Sequence, residues 1–232
     1  MSDTACGSIF EHDPVRFERL KERHARYFAN LVRPAHSSSS SRRVAADLIE
    51  TSGAEWENIE AAATFLAQAE PRAATETLLA LVLIVRRRIS SESLARILDD
   101  ACEVARTSGD SLLLAEALTR RGSYLSTRSS EKREADLATA LELLAQFPEA
   151  LLFCSEALRE RAVLRMFSGV RGEALRDAEE ALQLASEAGD ADVLGRAFLA
   201  LGSIHYDSGD ENHAVNLFER AITLYSGERN AE

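Results

Sequence analysis

The stretch "FLALGSIHYDSGDENHAVNLFERAITLY", Phe198 to Tyr225, decides the fold. Two apolar patterns flank a Ser208-Gly209-Asp210 turn. Phe198, Leu201, Ile204 and His205 precede it and Ala214, Leu217, Phe218 and Ala221 follow it, each set at the three-to-four spacing of a helix with one buried side. Ser208 with Glu211 three residues on has the capping-box spacing, so Ser208 is expected to start the second helix. Gly202, Ala214 and Ala221 thin the helices at points where larger side chains would fill space better. Small residues there let two backbones approach, with larger neighbours filling the grooves. The unit is a helical hairpin.

The hairpin repeats. Stepping back from Phe198 by 40 residues at a time reaches Leu158, Leu118 and Leu78, all large and apolar. Gly202 is matched by Ala162, Gly122 and Val82, and Ala221 by Ala181, Leu141 and Ala101. The column through Leu224 holds Leu184, Leu144 and Val104. Turn residues recur as well: Gly209 matches Gly169, and Gly189-Asp190 matches Gly109-Asp110. Fixed-period self-similarity of this kind is the mark of stacked supersecondary units, each too small to bury its own apolar face.

Composition agrees. Of the 232 residues 46% are hydrophobic and 28% charged, as in ordinary folded chains. Ala, Leu, Glu and Arg dominate, with only four Pro and eleven Gly to interrupt helices, which predicts an all-α fold. A net charge of −11 repels phosphate backbones, so nucleic acid is not an expected partner. Cys6, Cys102 and Cys154 form no pair at metal or redox spacing and read as small apolar fillers of a reducing compartment. The N-terminus lacks a secretory pattern, and the longest apolar run, Leu78 to Val85, is too short to span a bilayer. The expectation is a cytoplasmic protein without membrane contact.

The order Phe198, Leu201-Gly202, His205-Tyr206, Gly209-Asp210, Ala214, Phe218, Ala221 resembles the tetratricopeptide (TPR) pattern of large residue, Leu-Gly, aromatic, turn, Ala, aromatic, Ala. The unit from Leu158 follows it through Ala162, Met166, Gly169, Ala174, Ala178 and Ala181. The usual unit has about 34 residues; this one has 40, which is similar to the longer-armed repeats of bacterial regulators and eukaryotic polarity scaffolds. The resemblance implies a right-handed α-solenoid of about four hairpins over 71–232. It is preceded by N-terminal helices in 14–70, with a flexible segment at 1–13 and a Ser-rich loop at 37–41.

Within 14–70, "PVRFERLKERHARYFANLV" reads as an amphipathic helix with Phe17, Leu20, His24, Tyr27, Phe28 and Leu31 along one side. "RRVAADLIE" and "AEWENIEAAATFLAQAE" read as two more, the latter with a Trp56, Ile59, Ala63, Leu66 stripe. Pro71 suits the first turn of the next helix. "RLKERHARYFANL" with "EWENIEAAATFLAQ" is similar to the helices that lead into the TPR array of bacterial STAND-type signalling ATPases. The phosphate loop of those ATPases is absent from this sequence.

No residue set reads as catalytic. His205 and His213 lie on opposite sides of the turn, and His205 falls in a packing column, so no metal site is expected; no cofactor motif is present either. Arg86 to Arg88 fall in the last turn of a helix, where they complement its dipole. Function is then expected from shape: the first helices of stacked hairpins line a concave, partner-binding face. By resemblance, that face holds Arg86, Glu116, Arg120, Ser123 and Glu156. Further along it are Arg159, Met166, Arg196, Ser203 and Tyr206.

The columns that carry the carboxylate-clamping Lys and Asn of chaperone-binding TPR domains read Leu79 and Leu83, Thr119 and Ser123, Arg159 and Val163, Leu199 and Ser203, so that ligand is not expected. Arg120, Arg159 and Arg196 with Met166 and Tyr206 suit a peptide holding acidic and hydrophobic residues. In the competing reading the arginines bridge to Glu116, Glu156 and Glu160 on neighbouring turns. Two functions fit: a protein- or peptide-binding sensor module of a STAND-type system, or a peptide-binding regulator of transcription or signalling. Self-association would run through the N-terminal helices.

Overall fold

A computed structural model describes residues 14–37, 55–86, 88–124 and 128–230. Every regular element among them is an α-helix, and the chain divides into two compact units, 1–109 and 110–232. The "RRVAADLIE" helix, the segment 1–13 and Ser38 to Ser41 of the serine run lie outside the described residues.

The first unit contains α1 (Pro14–Ser37), α2 (Trp56–Leu66), α3 (Pro71–Val85) and α4 (Ser91–Ser108). Pro71 opens α3, where its missing N–H costs nothing. Leu78, Leu79, Leu81, Val82, Ile84 and Val85 are all buried, because α1, α2 and α4 pack around α3. Thr75 and Thr77 survive in this apolar helix because their hydroxyls donate to the Pro71 and Ala73 carbonyls. In α2, Ile59, Ala63 and Leu66 of the expected stripe are buried together with Ala62, while Trp56 at the helix start is half-buried.

In α1 the buried face is Ala25, Phe28, Ala29 and Val32, whereas Leu20 and Tyr27 remain exposed. The expected stripe is therefore rotated. Contact with two helices at once, α2 and α3, selects the narrower alanine-bearing face, which allows closer approach. α3 ends at Val85, so Arg86 caps it instead of lying in its last turn; its N–H donates to the Val82 carbonyl.

The second unit is three hairpins: α5 (Ser111–Tyr124) with α6 (Ser130–Leu144), α7 (Leu151–Phe167) with α8 (Arg171–Ala188), and α9 (Ala191–Asp207) with α10 (Glu211–Asn230). Each first helix also packs on the first helix of the next hairpin, so the hairpins stack in chain order. Gly169 and Gly209, 40 residues apart, turn inside hairpins, at φ of 79° and 85°. Gly189 ends α8 at φ 71°, and the Asp190 carboxylate accepts from Val193 N–H to begin α9. The Gly-Asp dipeptide thus terminates one helix and caps the next.

The same division of labour holds at Gly209-Asp210, which corrects the expected cap. Ser208 closes α9, its hydroxyl donating to the Ile204 carbonyl, and it is Asp210 Oδ1 that accepts from His213 N–H. Between the helices, Ala162, Ala174, Ala178, Phe198, Leu201, Ile204, Leu217 and Ala221 form one buried cluster. The thin points are contacts, as the repeat predicts. A Cβ on Gly202 would stand 2.7 Å from the Phe218 ring, and one on Gly122 2.8 Å from Leu137 Cγ.

Candidate functional site: the first-helix face of the second unit

Nine of the ten expected face residues lie on α5, α7 and α9; Arg86 belongs to the first unit and is described with it. On each first helix, positions spaced by three and four residues share a side. That side holds Glu116, Arg120 and Ser123 on α5, then Glu156, Arg159 and Met166 on α7. On α9 it holds Arg196, Ser203 and Tyr206.

The charged members pair with one another. Glu156 sits between Arg120, at 3.9 Å, and Arg196, with which it makes a short ion pair. Arg120 also reaches Glu116 at 3.6 Å, and Arg196 reaches Asp192 at 3.0 Å. Arg159 pairs with Glu160 through one terminal nitrogen, while its buried Nε has no hydrogen-bond partner. Burial by itself would raise the Glu156 carboxyl, but Arg120, Arg196 and Arg159 outweigh it and hold the group below its ordinary value. For Arg196, burial opposes the charge, and Glu156 and Asp192 overcome that opposition to raise the guanidinium. Most of this ladder is shielded from water.

A second set of pairs, which the sequence analysis did not anticipate, ties α5 to α6 and α7 to α8. Arg121 Nε and Nη2 donate to the two Asp136 oxygens at 2.8 and 2.6 Å. Forty residues on, Arg161 does the same to Asp177 at 2.8 Å on both oxygens, and Arg165 Nη1 adds a third bond to Asp177 at 2.9 Å. The sequence signal was present as arginines 40 apart, each followed fifteen or sixteen residues later by an aspartate. In the last hairpin Leu201 takes the arginine's column, and packing replaces the charge.

Beyond the ladder the face becomes apolar. Leu199 and Tyr206 on α9 are exposed, Tyr206 at 65%, and Phe167 at the end of α7 at 81%. Met166 instead packs against the inter-hairpin cluster. An open cleft lies on the second-helix side, lined by Leu182 and Gln183 of α8, Phe198 of α9, and Arg220 and Leu224 of α10, with the Arg220 guanidinium 4.2 Å from the Phe198 ring centre. Burial raises the Cys154 thiol, with Glu180 adding to the effect, so it is not poised as a nucleophile. His205 and His213 lie on either side of the turn, as read from the sequence. Yet the turn folds their rings together, with centroids 5.2 Å apart.

Stacked all-α hairpins with small residues at the helix crossings define a TPR-like solenoid fold. Among solved structures, the chain is similar to BtubC (BKLC) from P. vanneervenii, with 16% identity over 90% of this chain and 92% of that one and a TM-score of 0.62. MamA aligns at 12% identity over 82% of this chain and 90% of its own, TM-score 0.36. A putative kinesin light chain with nearly identical TPR-like repeats, from Podosopora anserina, aligns at 13% identity over 92% and 97%, TM-score 0.39. No family model matches the sequence, and no curated protein matches it either.

Proposed function

We propose that the protein is a non-catalytic binding module whose first-helix face takes a protein or peptide segment. The exposed Leu199 midway along α9, with Tyr206 and Phe167 at the ends of α9 and α7, carries this reading. Large apolar side chains grouped beside a polar region mark association surfaces more than scattered ones do. The shifted Glu156 and arginines are accounted for by one another, which favours binding over acid–base chemistry.

The ladder modifies the expected ligand. Arg120, Arg159 and Arg196 already hold carboxylates, so an acidic partner would exchange with Glu156 or Glu160 rather than meet free charge. Apolar anchoring at Leu199 and Tyr206 then dominates affinity, and acidic residues in the segment set register. The narrower forms of the reading are the ligand-sensing part of a STAND-type signalling system and, as the alternative, a peptide-binding regulator. The similarity of the α1 and α2 sequences to STAND linker helices favours the first. Exposed Leu20 and Phe65 support self-association through the N-terminal helices.

Selection of binders to the full chain from a displayed random-peptide library tests the face. Tyr206→Ala with Leu199→Ala removes only exposed groups and leaves the ladder intact, so folding is preserved. Peptides recovered on the wild type are expected to bind the variant about tenfold or more weakly, ~1.4 kcal/mol. Equal binding to the variant would remove the site from this face.

A further inference from the structure

The side chains of His205, Asp210 and His213 converge at the turn of the last hairpin. Their ligand atoms lie within 4.8 Å of one another, and among the described residues this is the one such group of histidine, cysteine and carboxylate side chains. Asp210 Oδ2 is 3.0 Å from His213 Nδ1 and 3.5 Å from His205 Nδ1. We infer that this cluster is a binding site for a divalent transition-metal ion, Zn2+ by its ligand set, with the remaining coordination positions open to water.

Geometry supports the ion. Four ligands at ~2.0–2.1 Å around tetrahedral zinc stand about 3.3 Å apart. The two edges from Asp210 Oδ2, 3.0 and 3.5 Å, bracket that separation. An ion lies in the plane of each imidazole that binds it, so the two rings, stacked with 20° between their planes, must turn about their soft terminal torsions to close the third edge. Two imidazoles and one carboxylate suit a borderline ion such as zinc and not Ca2+ or Mg2+, which take oxygen ligands.

The backbone fixes the three residues before any ion arrives. Asp210 N–H donates to the His205 carbonyl at 2.9 Å, and His213 N–H donates to Asp210 Oδ1 at 3.3 Å. One carboxylate oxygen is therefore committed to orienting the side chain, and the other faces the two rings. A ligand whose second oxygen is held in this way is preorganised. His213 is 72% exposed and His205 21%, which leaves an entry path and room for water.

The preceding hairpin shows what the repeat needs at these positions. Forty residues earlier the turn has the same backbone, with Val170 N–H donating to the Arg165 carbonyl at 2.9 Å and Gly169 at φ 79°. The three positions there are Arg165, Val170 and Glu173, and Arg165 closes on Glu173 at 3.4 Å. Arg165 also holds Glu134 at 2.8 Å and Asp177 at 2.9 Å, so ion pairs satisfy that turn. The last hairpin replaces them with three metal-ligating groups.

Titration of the full-length, chelator-treated protein with Zn2+, followed by calorimetry, tests the site. His213→Ala changes an exposed side chain, and Asp210→Asn keeps a good helix cap while removing the anionic ligand. One Zn2+ is expected to bind the wild type at this site, and both variants are expected to lose tenfold or more in its affinity. Other histidines and thiols that take up zinc would do so equally in all three proteins. Absence of binding to the wild type up to about 1 mM Zn2+, or unchanged affinity in either variant, overturns the three-ligand site.

Discussion

Gly202→Ala asks whether the thin points of the repeat are contacts. In an open helix this change is favourable, because alanine is ~1 kcal/mol better than glycine in a helix interior. At Gly202 the added Cβ would stand 2.7, 2.9 and 3.2 Å from three atoms of the Phe218 ring, the first two closer than carbon atoms approach. The half-buried ring must shift to admit it, and overpacking of this kind costs about 1–3 kcal/mol. The two effects sum to a loss of about 0–2 kcal/mol. Because that range touches zero, the decisive quantity is coupling with Phe218→Leu, which withdraws the ring. Single and double variants followed by urea denaturation at unchanged slope should show a coupling of about 1 kcal/mol or more. Gly172→Ala in α8 is the control: nothing lies within 4 Å of its added Cβ, and it should stabilise by about 0.4–1 kcal/mol. A Gly202→Ala variant that gains as much as the control, with no coupling to Phe218, would refute close contact.

Two further outcomes follow from the ion pairs. Asp177→Ala leaves Arg161 and Arg165 without the carboxylate that accepts three of their hydrogen bonds, and thermal melts should show a loss of about 3 kcal/mol. Glu156 makes stability depend on pH: its folded-state value is depressed, so its contribution is complete above the ordinary carboxylate value of about 4.3 and disappears as pH falls through the lower folded value. Melting temperature measured down that acid range should fall less steeply in Glu156→Gln than in the wild type; parallel curves would mean the ladder does not hold the charge.

The hairpin was legible because its signals are local or periodic. Gly169 and Gly209 mark left-handed turns that other residues enter with strain, and Gly202, Ala162 and Gly122 share a column because the backbones meet there. The exposed Tyr206 and buried Phe198 are likewise readable from helical spacing. What spacing does not carry is which of two adequate groups wins a local competition. Ser208 and Asp210 can both cap a helix, and the left-handed Gly209 between them assigns Ser208 to the end of α9 and Asp210 to the start of α10. The burial face of α1 depends on two partner helices at once, and its own periodicity does not say which arc they cover.

The charge of the face follows a rule that the repeat itself supplies. In a 40-residue stack, position i of one first helix neighbours positions near i+36 and i+40 of the next, as Arg120 does Glu156 and Glu156 does Arg196. Charges counted along one helix as a positive surface are therefore counted wrongly, since each must first be set against the next repeat. Arg120, Arg159 and Arg196 then stand against Glu116, Glu156, Glu160 and Asp192, and the face carries no excess of positive charge. Reversing Arg120 to glutamate would crowd three carboxylates into a shielded site and perturb folding before it reported on binding. The exposed Leu199 and Tyr206 can be removed without that cost, so the apolar end of the face is where a loss of affinity can be separated from a loss of fold.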